Sequence, residues 1–455
     1  LALGEAISKI FTFVSFTYLG RNFGPATYGE VEFSLSITLV FALFLQMGLG
    51  AYGTREIARR PECAQQLLGE IIEVRLLLAL LSVSVIIGFA WLVDKPLEVK
   101  LLMAAFGVSL LVLPAMTVWF FQAHEAMHWV AAINLSKHVV FAGLVLSSIG
   151  PESPLWMIGA MEGTALAAAA TLGAILIRQK LGYARPRVGL NLQRSLGHFR
   201  TALPIGLADL GWAALWQSPM VVLGLRLSDD SLGWFGAAHR CTMALHTFVW
   251  WYFFNLLPAV SRTPNKPRES LRVLVEPSMK LAAWGGVFVA LTGGLIASDI
   301  LGLAYGADFA AGGPVLAALL WGLPLAAVCG HYRAMLIGYG LQRELFRRTF
   351  AAAAAGAGLA YFLSPTWGAV GAAAGLVAGN LTVLALTYRA AAEKIMDLGF
   401  AGALSVPLLA AGGAYALSTT GGRATQALAV AAFSAGMLWA NREQARDWLN
   451  QLRND

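Results

Sequence analysis

The 455 residues are 58% hydrophobic and only 13% charged, with a mean hydropathy of +0.66. This composition excludes a soluble globular domain and predicts an all-α integral membrane protein. The formal net charge of +7 would suit a nucleic-acid binder, but the cations fall in alternate loops, as the positive-inside rule requires, so no nucleic-acid partner is expected.

Apolar windows predict about fourteen transmembrane helices, at 3–21, 30–50, 71–93, 100–122, 128–149, 155–177, 202–227, 233–258, 278–300, 313–338, 349–363, 367–390, 398–417 and 424–440. Arg55, Arg59 and Arg60 follow the second span; Arg178, Lys180, Arg185, Arg187, Arg194 and Arg200 follow the sixth; Arg262, Lys266, Arg268 and Arg272 follow the eighth. Arg343, Arg347 and Arg348, then Arg389 and Lys394, then Arg442, Arg446 and Arg453 continue the alternation after the later even-numbered spans. These loops and both termini should therefore face the cytoplasm. The opposite loops are short, with Asp229 and Asp230 in one and Lys95, Lys100 and Arg423 as cationic exceptions. Cys63, Cys241 and Cys329 are too widely spaced to indicate a disulfide framework or a thiolate metal site. The chain starts at Leu1 rather than Met, so a few residues are expected to precede it, and its first span carries no cleavage-site pattern.

The basic segment 178–200 divides an amino-terminal lobe at 1–177 from a carboxy-terminal lobe at 201–390, with two further helices and a cytoplasmic tail at 391–455. Leu192, Leu196, Phe199 and Leu203 stand at helical spacing among Arg194, His198 and Arg200, which suits an amphipathic helix on the membrane surface or a simple charged linker. Spans 1–2 and 7–8 share a faint register: Gly20 and Gly29 match Gly224 and Gly233, Glu5 pairs with Asp209, and Arg21 falls one position from Arg226. Related lobes or chance agreement in glycine-rich membrane sequence would both give it. Gly371, Gly375 and Gly379 form a ridge for close packing against the alanine-rich span before it. Pro219 removes a backbone hydrogen bond near mid-membrane, making it a hinge or a tolerated kink.

Positive charge inside apolar stretches is the strongest functional signal. Lys9, Lys137 and Arg240 sit well within spans, and a charge at a helix centre costs roughly 2.5–3.5 kcal/mol on insertion scales. Three such charges imply a hydrated cavity and an anionic cargo. Arg21 and Arg226, at outer span ends, are snorkelling anchors or an outer ring of charge, and Arg75 and Arg333 read as snorkelling anchors. Glu5 and Lys9, one turn apart, form an intrahelical pair or, facing a cavity, a protonation-sensitive gate. Asp209, Glu30 and Glu32 extend the set of acids able to take a coupling H⁺ or Na⁺, with Asp209 favoured because a carboxylate within a span has few structural uses. His124 and His128 lack the surrounding features of a metal site, so no metal and no organic cofactor is expected. Trp212, Trp216, Trp250 and Trp251 suit sugar stacking, interfacial belts or packing.

Several segments resemble the polysaccharide exporters of the multidrug/oligosaccharidyl-lipid/polysaccharide flippase superfamily, in particular the O-antigen flippase type. The best carriers are GRNFGPATYGEVEFSLSI at 20–37 and WFFQAHEAMHWVAAINLSKHVVF at 119–141; YGADF at 305–309 and PTWGAVGAAAG at 365–375 are weaker. The resemblance implies two pseudo-symmetric six-helix lobes around a central cavity, here with two extra carboxy-terminal helices. It also implies translocation of an undecaprenyl-diphosphate-linked oligosaccharide from the cytoplasmic to the periplasmic leaflet of the bacterial inner membrane. Membrane lipids and other polysaccharide assembly proteins are the implied partners. Arg240, about two turns into span 8, becomes the leading residue for the diphosphate, since arginine binds phosphoryl groups by charge-assisted hydrogen bonds. Gln217 or Ser218 stands where many members carry an acid in span 7, which puts that acid's ion-coupling role in doubt for this chain.

An ion-coupled drug or cation antiporter of the same superfamily is the nearest alternative, but an organic-cation cavity should be dominated by acids. A membrane polysaccharide polymerase or ligase would need a sizeable outward loop, and an ATP-driven pump would need a P-loop; the sequence has neither, so no enzyme activity is expected.

Overall fold

A computed structural model describes residues 2–184, 192–227, 230–263, 268–419 and 422–442. Arg185, Arg187, Asp229, Lys266, Arg446 and Arg453, read above as topology signals, lie outside the described residues. Among the described residues every regular element is helical, and ten helical runs are long and apolar enough to cross a membrane. The chain divides into two compact units, Leu1–Gly236 and Ala237–Asp455.

The first unit holds α1 (Ala2–Gln46), α2 (Leu49–Arg59), α3 (Ala64–Leu92), α4 (Leu97–Ser109), α5 (Val118–Ala123), α6 (Met127–Ser148), α7 (Trp156–Lys180), α8 (Leu192–Arg226) and the first turns of α9 (Asp230–Ser261). α1 joins the first two predicted spans and breaks at Gly24, whose φ of 73° is open to a residue without Cβ, immediately before Pro25. A second break at Met47 and Gly48, both at positive φ, separates α1 from α2. The predicted span at 100–122 is interrupted: α4 stops at Ser109, and a short 3₁₀ turn carrying Pro114 redirects the chain into α5. α8 instead runs unbroken through Pro204 and Pro219. α1 packs against α6 and α8, and α7 packs against α4 and α6.

α3 displays the inverted pattern of a lipid-facing helix. Leu76, Leu77, Leu80, Leu81 and Val85 are exposed, whereas Glu70, Glu73 and Arg75 are buried. Burial of Arg75, only 4% exposed, overturns its reading as a snorkelling anchor: the side chain turns into the unit rather than toward a lipid interface.

The second unit holds the rest of α9, α10 (Arg268–Leu295), α11 (Ala297–Tyr305), α12 (Gly313–Leu320), α13 (Gly322–Gly338), α14 (Gln342–Lys394), α15 (Ala401–Ser418) and α16 (Arg423–Ala440). α14 folds back on itself at Gly368, so the glycine ridge meets its own first arm. A Cβ on Gly371 would lie 2.5 Å from the Leu363 carbonyl oxygen, and one on Gly375 2.7 Å from that of Gly356. α15 and α16 close against α10 around Trp284 and Phe433.

Two of the glycines paired by the sequence register touch. A Cβ on Gly29 would lie 2.5 Å from the Gly233 nitrogen, and one on Gly233 1.9 Å from the Pro25 carbonyl oxygen. Beside this crossing, Lys95 is buried and donates to Glu30 Oε1 at 2.7 Å and to the Leu227 carbonyl at 3.3 Å, while Tyr28 donates to Glu32. Lys95, read as a loop cation, is thus the counter-charge of a glutamate read as an ion-coupling acid. Glu30→Ala takes the paired carboxylate from a buried ammonium and should cost about 3–5 kcal/mol, whereas Glu30→Met with Lys95→Met should recover most of that loss. Thermal unfolding of the detergent-solubilised protein checks this; a double variant no more stable than the single one would contradict it.

Candidate functional site

The first unit encloses a cavity of about 500 Å³, within the range of ligand sites. Its wall is assembled from separated stretches: Glu5 and Gln46 from α1, Arg75 from α3, Trp119 and Gln122 from α5, Asn134, Lys137 and His138 from α6, and Asp209 from α8. Leu43, Met47, Leu113, Met116, Val118 and Leu166 complete it with apolar surface. The helix breaks make this possible. The turn at Pro114 delivers the short α5, and a bond from Thr54 Oγ1 to the Trp119 carbonyl at 3.0 Å fixes α5 to α2.

Most charge on this wall is matched within the unit. Lys137 Nζ lies 2.7 Å from Glu162 Oε1 on α7, and Asn134 Nδ2 donates to Glu5 Oε1 at 3.2 Å. His138 Nδ1 shares a hydrogen bond of 2.9 Å with Thr12 Oγ1. Glu5 therefore turns to α6, and the intrahelical pair with Lys9 does not form; Lys9 is exposed on α1 beside Ile10. Arg75 differs. Its guanidinium carbon lies 5.9 Å from the Trp119 ring centroid, and Nη1 donates to the Met116 carbonyl at 3.4 Å.

Glycines on α2 set this corner. A Cβ on Gly53 would lie 2.4 Å from the Trp119 ring and 2.7 Å from Ile71, and one on Gly50 3.2 Å from Arg75 Nη2. Arg75 and Trp119 approach α2 because those side chains are missing.

Of the residues singled out in the sequence, the cavity brings together Glu5, Lys137 and Asp209. Glu30 and Glu32 belong to the separate cluster with Lys95 and Tyr28. Arg21 and Arg226 are exposed at the ends of their helical segments, and Pro219 is buried in the continuous α8. Arg240 lies half-buried on α9 in the second unit. The cavity also holds Arg75, Trp119, Gln122 and Asn134, which sequence reasoning does not mark as site residues, although three of them lie in the segment 119–141.

A second polar cluster anchors the start of α8 to α3. Glu70, 3% exposed, takes Arg194 Nε at 3.3 Å, His198 Nε2 at 2.7 Å and Gln66 Nε2 at 2.9 Å. Tyr52 bonds the other nitrogen of His198 at 2.8 Å, and Ser195 donates to Glu73 at 2.9 Å. The first turns of α8 are therefore tied down by their polar face, while Phe199 packs on the core of α2, α3 and α5.

The lipid II flippase MurJ, in an inward closed conformation, matches this fold with a TM-score of 0.73 at 13% identity, covering 98% of this chain and 99% of that one. An inward-facing multidrug resistance MATE transporter matches with a TM-score of 0.72 at 15% identity, covering 85% and 94%. The chain is thus a multi-pass membrane protein of the architecture shared by these transporters. More particularly, it belongs to the polysaccharide biosynthesis protein family, whose family model matches residues 1–263. A candidate O-antigen transporter of Escherichia coli (strain K12) is 21% identical over 297 residues, which are 63% of this chain and 70% of that protein. Each of these relatives is described as a transporter or flippase, and none as an enzyme.

Gly53→Ala should force the Trp119 ring out of its place at a cost of about 1–3 kcal/mol, with Gly50→Ala milder because its contacts are longer. Thermal unfolding of the two variants side by side checks the order; equal stability of Gly53→Ala and the wild type would refute the packing.

Proposed function

We propose that the protein is a flippase that carries a diphosphate-linked lipid oligosaccharide from the cytoplasmic to the periplasmic leaflet of the bacterial inner membrane by alternating access. The observation that supports this most is the cavity of the first unit, with its amides, cations and a tryptophan on one wall, in a chain of the polysaccharide biosynthesis family. Gln46, Gln122 and Asn134 offer donors and acceptors to sugar hydroxyls. In this reading both termini are cytoplasmic, following the alternation of Lys and Arg. The Glu70 cluster then lies on the cytoplasmic side, and the Glu30–Lys95 pair lies near the outer leaflet.

Lys137, Arg240, Arg21, Arg226 and Lys9 are the cations assigned to the anionic substrate along its path. Asp209, Glu5, Glu30 and Glu32 are the acids assigned to a coupling H⁺ or Na⁺, with Asp209 first because it is an exposed carboxylate on the cavity wall. Pro219 is assigned as the hinge within α8.

The test uses proteoliposomes loaded with a lipid-diphosphate oligosaccharide, scored by access of an external glycan-binding protein. Protein-dependent exposure is expected, and it should respond to an imposed proton or sodium gradient. Exposure no faster than in empty liposomes under either gradient, together with protein-dependent efflux of an organic cation, would replace this reading with drug antiport.

A further inference from the structure

Among the charged groups of the cavity wall, Arg75 stands apart by its surroundings. It is 4% exposed, and among the described residues no carboxylate lies within ion-pair distance of it. Its hydrogen bond to the Met116 carbonyl is long, at 3.4 Å, and its buried Nε has no acceptor among the described residues. Beside it, Trp119 is also 4% exposed, and its indole Nε1 is a second buried donor with no acceptor among the described residues. Both residues line the cavity, and the Arg75 guanidinium carbon lies 5.9 Å from the Trp119 ring centroid.

Protein interiors rarely leave such groups unfilled. A guanidinium keeps its charge, and a buried charge without a partner carries a large desolvation cost. Lys137, a half-buried cation of the wall, already has Glu162. The Gly50 and Gly53 positions hold the Arg75 and Trp119 side chains against α2, so the pair is a fixed feature of the wall rather than a mobile surface arginine. What the corner lacks is an anion with several acceptor oxygens. The planar fork of arginine matches a phosphoryl group in a bidentate manner, and an indole N–H adds a further donor to another oxygen. A carboxylate, with only two oxygens, fills this donor set less completely than a phosphoryl group.

We propose that Arg75 and Trp119 form a phosphoryl-binding subsite in the cavity of the first unit. The proposal rests on the flippase reading where the phosphoryl group belongs to a lipid diphosphate, but the same donors would also take inorganic pyrophosphate, and binding can be measured without transport.

The experiment measures equilibrium binding of radiolabelled inorganic pyrophosphate to the purified full chain in detergent, and separately the translocation of a lipid-diphosphate oligosaccharide. Wild type, Arg75→Gln, Arg75→Lys and Trp119→Phe are compared. Charge-assisted hydrogen bonds of this kind imply that Arg75→Gln weakens binding about tenfold or more and Trp119→Phe about threefold to tenfold. Arg75→Lys should fall between, because it keeps the charge and loses the fork. Loss in the binding assay alone supports the subsite with free pyrophosphate as its ligand and detaches it from transport. Loss in translocation alone, with no wild-type affinity for pyrophosphate, supports the subsite with the lipid headgroup as its ligand. Wild-type values in both assays for Arg75→Gln overturn the proposal, even if the wild type is an active flippase. Should Arg75→Gln not fold, Arg75→Lys and Trp119→Phe decide, and wild-type values in both of these overturn it equally.

Discussion

Charge matching in a low-dielectric interior organises the amino-terminal unit. Each buried ion must find a counter-charge or a dense set of hydrogen bonds, because leaving it alone costs more than any single packing contact returns. Glu30 has Lys95, Lys137 has Glu162, and Glu70 has Arg194, His198 and Gln66. These pairs join α1 to the start of α4, α6 to α7, and α3 to α8, so they also fix how the helices assemble. Against that background Arg75 is informative: a cation held in place by glycine-lined packing, lining the cavity and with no acid beside it among the described residues, is poised for an anion from outside.

The cavity itself depends on interrupted helices. Irregular backbone at membrane depth is tolerated where it is buried in protein or lines a polar cavity. The break at Met47 and Gly48 contributes Gln46, Met47 and Gly48 to the lining, and the turn through Pro114 contributes Leu113 and Met116. The same turn brings in Trp119 and Gln122 on a helix only six residues long. Continuous helices along these stretches would place fewer of these side chains at this wall. Small residues on α2 then let the aromatic and the guanidinium approach within van der Waals range of its backbone.

Much of the helical framework was legible in the sequence because hydropathy and turn residues report it directly. The predicted stretches fall on the observed helices, and the ridge of Gly371 and Gly375 packs as its spacing implies. The partnerships were not legible. A window of hydropathy reads 100–122 as one span, since the interrupting residues are themselves apolar, so the short helix bearing Trp119 went unseen. Arg75 sits only four residues into its predicted span, the usual place for a snorkelling anchor, but α3 begins at Ala64 and carries it well inside the unit. Lys95 looked like a loop exception because its partner is 65 residues away in the chain. Glu5 and Lys9 show the same limit: spacing allows their pairing, and Asn134 from a distant helix takes the glutamate instead.

Arg75, as a phosphoryl-binding cation, is kept for its ligand at the expense of stability. Replacement of a buried, unmatched charge by an apolar side chain of similar length separates the two roles. For Arg75→Met the thermal unfolding midpoint, measured on the purified protein without substrate, should rise above that of the wild type, while translocation of the lipid-diphosphate oligosaccharide falls by at least about tenfold. A fall in the midpoint with translocation preserved would show that Arg75 is a structural cation satisfied by its surroundings, and would contradict the account at its centre.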